Sequence, residues 1–193
     1  MNNYSDPALD LMTEALLVAL SAASRETGAH SHRTAEIADT LASRLSFTPD
    51  ERASLRYASL LHDIGKLTSD PAILHKCAAL TAEETAHLRE HVAASVEMLD
   101  RLGFPAAVVR IVAEHHEQFD GTGYPARSSG DSISRGARVF ALADALDAIL
   151  SDRCYRKART YTEARAEILR CSGTQFDPLV VAAFISIPAE RFQ

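Results

Sequence analysis

The chain has 193 residues, 47% of them hydrophobic and 24% charged, a composition that fits one folded domain and not an extended disordered segment. Its formal charge of −6 argues against a broad basic footprint for duplex nucleic acid, so an anionic ligand needs a local attractor such as a metal ion. Three widely spaced cysteines, Cys77, Cys154 and Cys171, indicate neither a disulfide framework nor a structural zinc site; residues 15–23 are too short an apolar stretch to span a membrane, and the acidic N-terminus is unlike a signal peptide, so a cytoplasmic location is expected.

In chain order, Asp6-Pro7 caps a first helix with Leu9, Leu16 and Leu20 on one face. Ile37, Leu41 and Leu45 mark a second. Thr48-Pro49-Asp50-Glu51 is a capping box with proline at the first helical position, opening a helix to about Leu61. Asp70-Pro71 starts a short helix, and a second capping box at Thr81–Glu84 opens one that carries Leu88, Val92, Val96 and Leu99. Gly103-Phe104-Pro105 separates it from a helix reaching about His115. The glycine-rich stretch 119–132 reads as a loop, followed by a helix with Val139, Leu142, Leu146 and Ile149. Helices at Tyr161–Arg170 and Pro178–Phe184, with Gly173 as a C-cap residue between them, complete an all-α bundle.

Chemistry-bearing residues recur at the ends of these elements. In His62-Asp63 the carboxylate can bridge two metals while the imidazole binds one of them, but as a bare dipeptide the pair is common and needs partners. Glu26 and His30, four apart, share a helix face; His91 borders an apolar stripe; His115-His116-Glu117 falls where a helix gives way to a loop; and Asp144 lies on an otherwise apolar helix, where an unpaired carboxylate is costly. Imidazole with carboxylate and no thiolate suits iron or manganese better than structural zinc, and paired metals suit in-line displacement at phosphorus.

These residues resemble the HD-GYP branch of the HD phosphohydrolase superfamily. The resemblance rests on His30-x-x-Arg33, His62-Asp63-Ile64-Gly65-Lys66, His91, His115-His116-Glu117, Asp120-Gly121-Thr122-Gly123-Tyr124-Pro125, Asp144-x-x-Asp147-Ala148, Arg153-x-Tyr155-Arg156 and Phe176-Asp177-Pro178, in the family's order. It implies an HD-domain helical bundle with a GYP loop and C-terminal helices, divided into an N-terminal helix at 1–25, a catalytic domain at 26–187 and a tail at 188–193. It also implies two or three divalent ions, iron or manganese, held by Glu26, His30, His62, Asp63, His91, His115, His116 and Asp144, with Glu26 supplying the capacity for a third. The implied reaction is hydrolysis of cyclic di-GMP or a related cyclic dinucleotide, with His62, Asp63 and Lys66 catalytic, and Lys66, Gly123, Tyr124, Arg153 and Arg156 on the substrate. A diguanylate cyclase or other signalling protein is the implied partner of the GYP loop. Arg33 reads as a structural ion pair, and Glu117 and Asp147 as groups that orient ligands.

Three segments depart from the family's pattern: Ala126–Asp131 after the Tyr-Pro pair, Cys154 in place of a proline, and His75–Ala79 in place of a Lys-Pro-Gly turn. They leave open cyclic di-GMP against cyclic GMP-AMP, a sensor or docking module with little turnover, and a generic HD-type nucleotide hydrolase.

Overall fold

The computed structural model describes residues 6–152 and 157–192. Its helices are α1 (Pro7–Ala23), α2 (Arg25–Ala42), α3 (Pro49–Leu61), α4 (Pro71–Leu74), α5 (Ala82–Arg89), α6 (His91–Arg101), α7 (Ala106–Glu114), α8 (Arg135–Leu150), α9 (Tyr161–Arg170) and α10 (Pro178–Ile185). Short 3-10 turns lie at Ile64–Thr68, Gly130–Ser132 and Ala189–Phe192, and among the described residues no strand forms, so the fold is all-α. None of these helices is long and apolar enough to cross a membrane.

The starts of these helices follow from side-chain chemistry. Asp6, Thr48, Asp70, Thr81, Thr160 and Asp177 each accept a backbone N–H that the first helical turn leaves unpaired. Proline follows directly at Pro7, Pro49, Pro71 and Pro178, where a missing N–H costs nothing. Ser24 alone separates α1 from α2, its hydroxyl accepting the Thr27 N–H at 3.3 Å.

One expected helix is two. The apolar stripe from Leu88 to Leu99 continues without a break, yet the backbone turns at Glu90, whose N–H bonds to the His87 carbonyl at 3.1 Å in a tighter turn. The break frees the Leu88 carbonyl, and His91 uses it. Gly173, with φ +80°, lies two residues beyond the α9 C-cap Cys171 and takes the left-handed turn there.

Helices α2, α3, α7 and α8 pack around Leu41, Leu55, Leu61, Val112, Phe140, Leu142 and Leu146, all essentially without solvent exposure. Burying each of the larger side chains contributes about 1.5–3 kcal/mol against leaving it exposed. Helix α6 closes one flank against α7 and the turn at 64–68, α10 closes another, and Tyr161, Phe184 and Phe192 pack together beside it. The core therefore holds the ends of α3 and α7, the start of α6 and the middle of α8 in one place.

Candidate metal centre

The last four carbonyls of a helix have no intrahelical donor, and three histidines exploit this. His62, capping α3, places Nδ1 2.9 Å from the Ser59 carbonyl. His91, just past α5, places Nδ1 2.7 Å from Leu88, and His115, capping α7, places it 2.6 Å from Val112. A carbonyl only accepts, so each Nδ1 carries its hydrogen and each ring turns its Nε2 inward. His30 is oriented the same way by a carboxylate, its Nδ1 lying 2.6 Å from Asp147 Oδ2. Arg33 holds that carboxylate with Nε 2.6 Å from Oδ1 and Nη2 3.1 Å from Oδ2. Asp147 thus orients His30 and Arg33 is its ion pair, in line with the sequence.

The inward atoms form two groups. His30, His62 and Asp144 make one, and His91, His115 and His116 the other, with the candidate donor atoms of each group within 4.8 Å of one another. Asp63 lies between them: Oδ2 is 3.2 Å from His62 Nε2, and Oδ1 is 3.5 Å from His91 Nε2. Seven of the eight sequence-predicted ligands are therefore gathered. Glu26, the eighth, is exposed one turn before His30 and lines a cavity of about 580 Å³ with Lys66, outside both groups.

Donor chemistry fits metal. His91 Nε2 and His115 Nε2 lie 3.2 Å apart with both Nδ1 hydrogens spent on carbonyls, so two lone pairs face each other. A proton between them would need one ring to be charged, yet burial lowers the pKa of His91, and burial followed by the neighbouring His116 drives that of His115 well down. A Lewis acid resolves the repulsion. The ends of α3 and α7, both negative helix poles, favour a cation in the same place.

The charges around the other group are already arranged for one. Burial would raise the Asp63 carboxyl, but the fields of His62 and Lys66 outweigh it and hold it well below the usual range. Asp144 behaves alike: burial opposes ionisation, and the His30 hydrogen bond at 2.9 Å overcomes it. His30 is in turn raised to about 9, burial being outweighed by Asp144 and Asp147, so a proton on Nε2 fills the position facing Asp144. His116 is lowered to about 4 by burial.

These shifts fix a pH dependence for metal-free protein. His30 binds its proton more tightly folded than unfolded, so its contribution is whole below its unfolded pKa of 6.5 and is lost as pH rises through about 9. His91, His115 and His116 are held neutral, so theirs are whole above pH 6.5 and are lost as pH falls, for His116 toward about 4. Urea midpoints measured with chelator present are expected to peak near pH 6.5 and fall on both sides. A midpoint climbing steadily to pH 9 would contradict the His30 arrangement.

Lys66 sends Nζ to 2.6 Å from Asp63 Oδ2 and keeps 22% of its side chain exposed, beside the cavity it shares with Glu26. Tyr124 stacks on the His116 ring with centroids 4.7 Å apart, and burial pushes its hydroxyl up to about 12. Gly123 sits behind it, buried, where a Cβ would lie 2.4 Å from the Gln118 nitrogen and 2.5 Å from the Glu117 Cα. Its role is close packing of the loop on the end of α7. Glu117 departs from expectation: its Oε1 accepts the Ala126 N–H at 2.7 Å, so it fastens the loop and orients no ligand ring. Arg153 and Arg156 lie outside the described residues.

Two residues escaped the sequence reading. Ser95 Oγ donates to the His62 carbonyl at 2.9 Å and accepts the Gly65 N–H at 2.8 Å, tying both to α6. Arg89 lays its guanidinium over the Tyr124 ring, 4.5 Å from the centroid. A polar residue on an apolar face signals the first; nothing in the spacing signals the second.

The HD-domain family profile matches residues 15–180. A 3'3'-cGAMP-specific phosphodiesterase 2 of Vibrio cholerae is 39% identical over 165 residues, covering 84% of this chain and 32% of that protein. A cyclic di-GMP phosphodiesterase of Thermotoga maritima is 32% identical over 86% of this chain and 45% of its own. The chain spans between a third and a half of the length of such relatives. Among solved structures, an HDG"Y"P protein from Bdellovibrio bacteriovorus superposes with a TM-score of 0.66 at 20% identity, covering 80% of this chain and 49% of that one. The HD domain of the L. monocytogenes phosphodiesterase PgpH, in complex with cyclic-di-AMP, gives 0.63 at 17% identity, covering 92% and 90%. The profile match, the all-α fold and the two histidine–aspartate groups agree: the chain belongs to the HD-domain family, in the HD-GYP branch that its motifs resemble.

Proposed function

We propose that this chain is a metal-dependent phosphodiesterase acting on a cyclic dinucleotide, cyclic di-GMP or 3'3'-cGAMP. The observation that carries the reading is the pair of facing Nε2 atoms of His91 and His115, built for a cation and joined through Asp63 to a second group of the same kind. His30, His62 and Asp144 would hold one ion and His91, His115 and His116 another, Asp63 serving both; Glu26 stands by for a third. Divalent ions there, iron or manganese by donor type, would offset charge at phosphorus and lower the pKa of water.

The chain's own residues supply the rest. Asp147 and the three carbonyls keep each Nε2 aimed inward without further ordering. Lys66 keeps a positive charge beside Asp63, where it can meet a phosphoryl oxygen or give a proton to the leaving oxygen. The cleft of about 430 Å³ lined by His116, Tyr124, Asp144 and Gln175 offers room for a nucleoside beside the centre. Arg153 and Arg156 are proposed for the second phosphate or a guanine, the exposed loop after Tyr124 for a diguanylate cyclase or similar partner, and the cytoplasm for the setting.

Protein purified without oxygen and given iron or manganese is expected to convert cyclic di-GMP or 3'3'-cGAMP to linear dinucleotide or mononucleotide, and chelator to abolish the conversion. Metal bound at two or more equivalents with nucleotide retained intact would overturn the enzyme reading in favour of a sensor.

A further inference from the structure

We propose that Arg89 binds the phosphate of a cyclic dinucleotide that is not at the metal centre. The inference rests on the phosphodiesterase reading and extends it to a residue outside the motifs. His116, Tyr124 and Arg89 form one stack of three flat groups: imidazole to phenol ring 4.7 Å, phenol ring to guanidinium 4.5 Å. The contacts lead from a histidine of the second group through Tyr124 to an exposed cation.

Arg89 differs from its basic neighbours in having no acid to satisfy it. Lys66 is bound to Asp63, Arg33 to Asp147 and Lys76 to Glu84, whereas Arg89 makes no ion pair or hydrogen bond among the described residues. Its neighbour Glu90 pairs instead with His87. The guanidinium carbon lies over the Tyr124 ring and its N–H donors have no partner among the described residues, so they are open to receive a phosphate bidentately. Stacking also restricts the side chain beforehand, so less rotamer freedom is lost on binding. A cyclic dinucleotide carries two phosphodiester charges on one ring; with one at the metals, the other lies a nucleoside away, where Arg89 would receive it and leave Arg153 and Arg156 to a guanine.

The test compares wild type, Arg89→Ala and Arg89→Lys on cyclic di-GMP and on bis(p-nitrophenyl) phosphate, which has one phosphodiester, together with calorimetric Kd for cyclic di-GMP on chelator-treated protein. Arg89→Ala is expected to raise KM and Kd for cyclic di-GMP about tenfold, as loss of a charged hydrogen bond does, with kcat within about threefold. Turnover of bis(p-nitrophenyl) phosphate is expected to be unchanged, and Arg89→Lys to recover only part of the affinity, its charge being kept and the planar fork lost. Equal loss on both substrates would make Arg89 a support for Tyr124 only and overturn the proposal, as would unchanged KM and Kd. Wild type that binds cyclic di-GMP and hydrolyses neither diester sinks the phosphodiesterase reading and leaves Arg89 judged on Kd. Wild type that hydrolyses, with Arg89→Ala indistinguishable from it, sinks Arg89 alone. Wild type that, loaded with iron or manganese, neither binds nor hydrolyses cyclic di-GMP overturns both.

Discussion

Asp63→Asn is expected to lower diester hydrolysis by about three orders of magnitude and to reduce the bound metal by at least one equivalent. The substitution keeps size and shape, so the loss reports charge. Asp63 is buried, and its two oxygens have separate duties: Oδ2 faces His62 and Lys66, Oδ1 faces His91 of the other group. An amide can offer only one oxygen, and its NH₂ would point either at the Lys66 ammonium or at a nitrogen meant to be bare. Either choice places hydrogen where a cation should lie. Removing the ionic partner of Lys66 also costs stability, so rates are normalised to folded protein by circular dichroism, and metal content is read by atomic absorption. Activity within tenfold of wild type, with full metal, would show that neither group depends on Asp63.

The electrostatics explain why the centre tolerates so many buried polar groups. An uncompensated buried charge costs several kcal/mol, and His30, Asp144, Asp147 and Arg33 avoid that cost by forming a chain of alternating sign. His91, His115 and His116 avoid it by staying neutral. One group is therefore pre-charged and the other, built of three imidazoles, is not. In the first, His30 would have to give up its Nε2 proton to serve as a ligand; in the second, the neutral imidazoles would offer their lone pairs directly.

How far the sequence could be read follows from which forces are local. Capping boxes at Thr48 and Thr81 and the Asp-Pro starts at Asp6 and Asp70 are short-range, and each lies where it was expected. The clustered histidines were legible because the family motifs fall in order, and the structure adds a reason for three of their positions: helix ends supply the carbonyls that hold the rings of His62, His91 and His115. The break at Glu90 was hidden because the hydrophobic stripe runs straight through it, and periodicity cannot register a turn that preserves phase. Ser95 and Arg89 act on residues about thirty positions away, a relation no spacing rule encodes. Glu117 was misread because adjacency to two ligands suggested a role toward them, whereas its carboxylate turns to the loop backbone.

Gly65→Ala is expected to cost about 3 kcal/mol, a fall in Tm of roughly 6–12 °C, and to remove metal binding and hydrolysis together. The 3-10 turn at 64–68 lies so close to α6 that a Cβ on Gly65 would stand 2.1 Å from the His91 carbonyl oxygen and 2.6 Å from the Ser95 nitrogen. Both are backbone atoms near the start of α6, so no rotamer change relieves the clash. The turn must lift away, breaking the Gly65 N–H bond to Ser95 Oγ and disturbing the Ser95 bond to His62. Asp63 and Lys66 flank the moved residue, and His91 supplies the contact, so both metal groups lose register at once. Gly103→Ala is the matched control. That glycine has φ +76° and open space around its Cβ position, so alanine there carries only left-handed strain, about 1 kcal/mol, and hydrolysis should persist. If Gly65→Ala melted within 2 °C of wild type and kept its metal, the approach of the turn to α6 would be incidental; loss confined to Gly65→Ala would show that a missing methyl group, as much as any ligand, holds the two groups together.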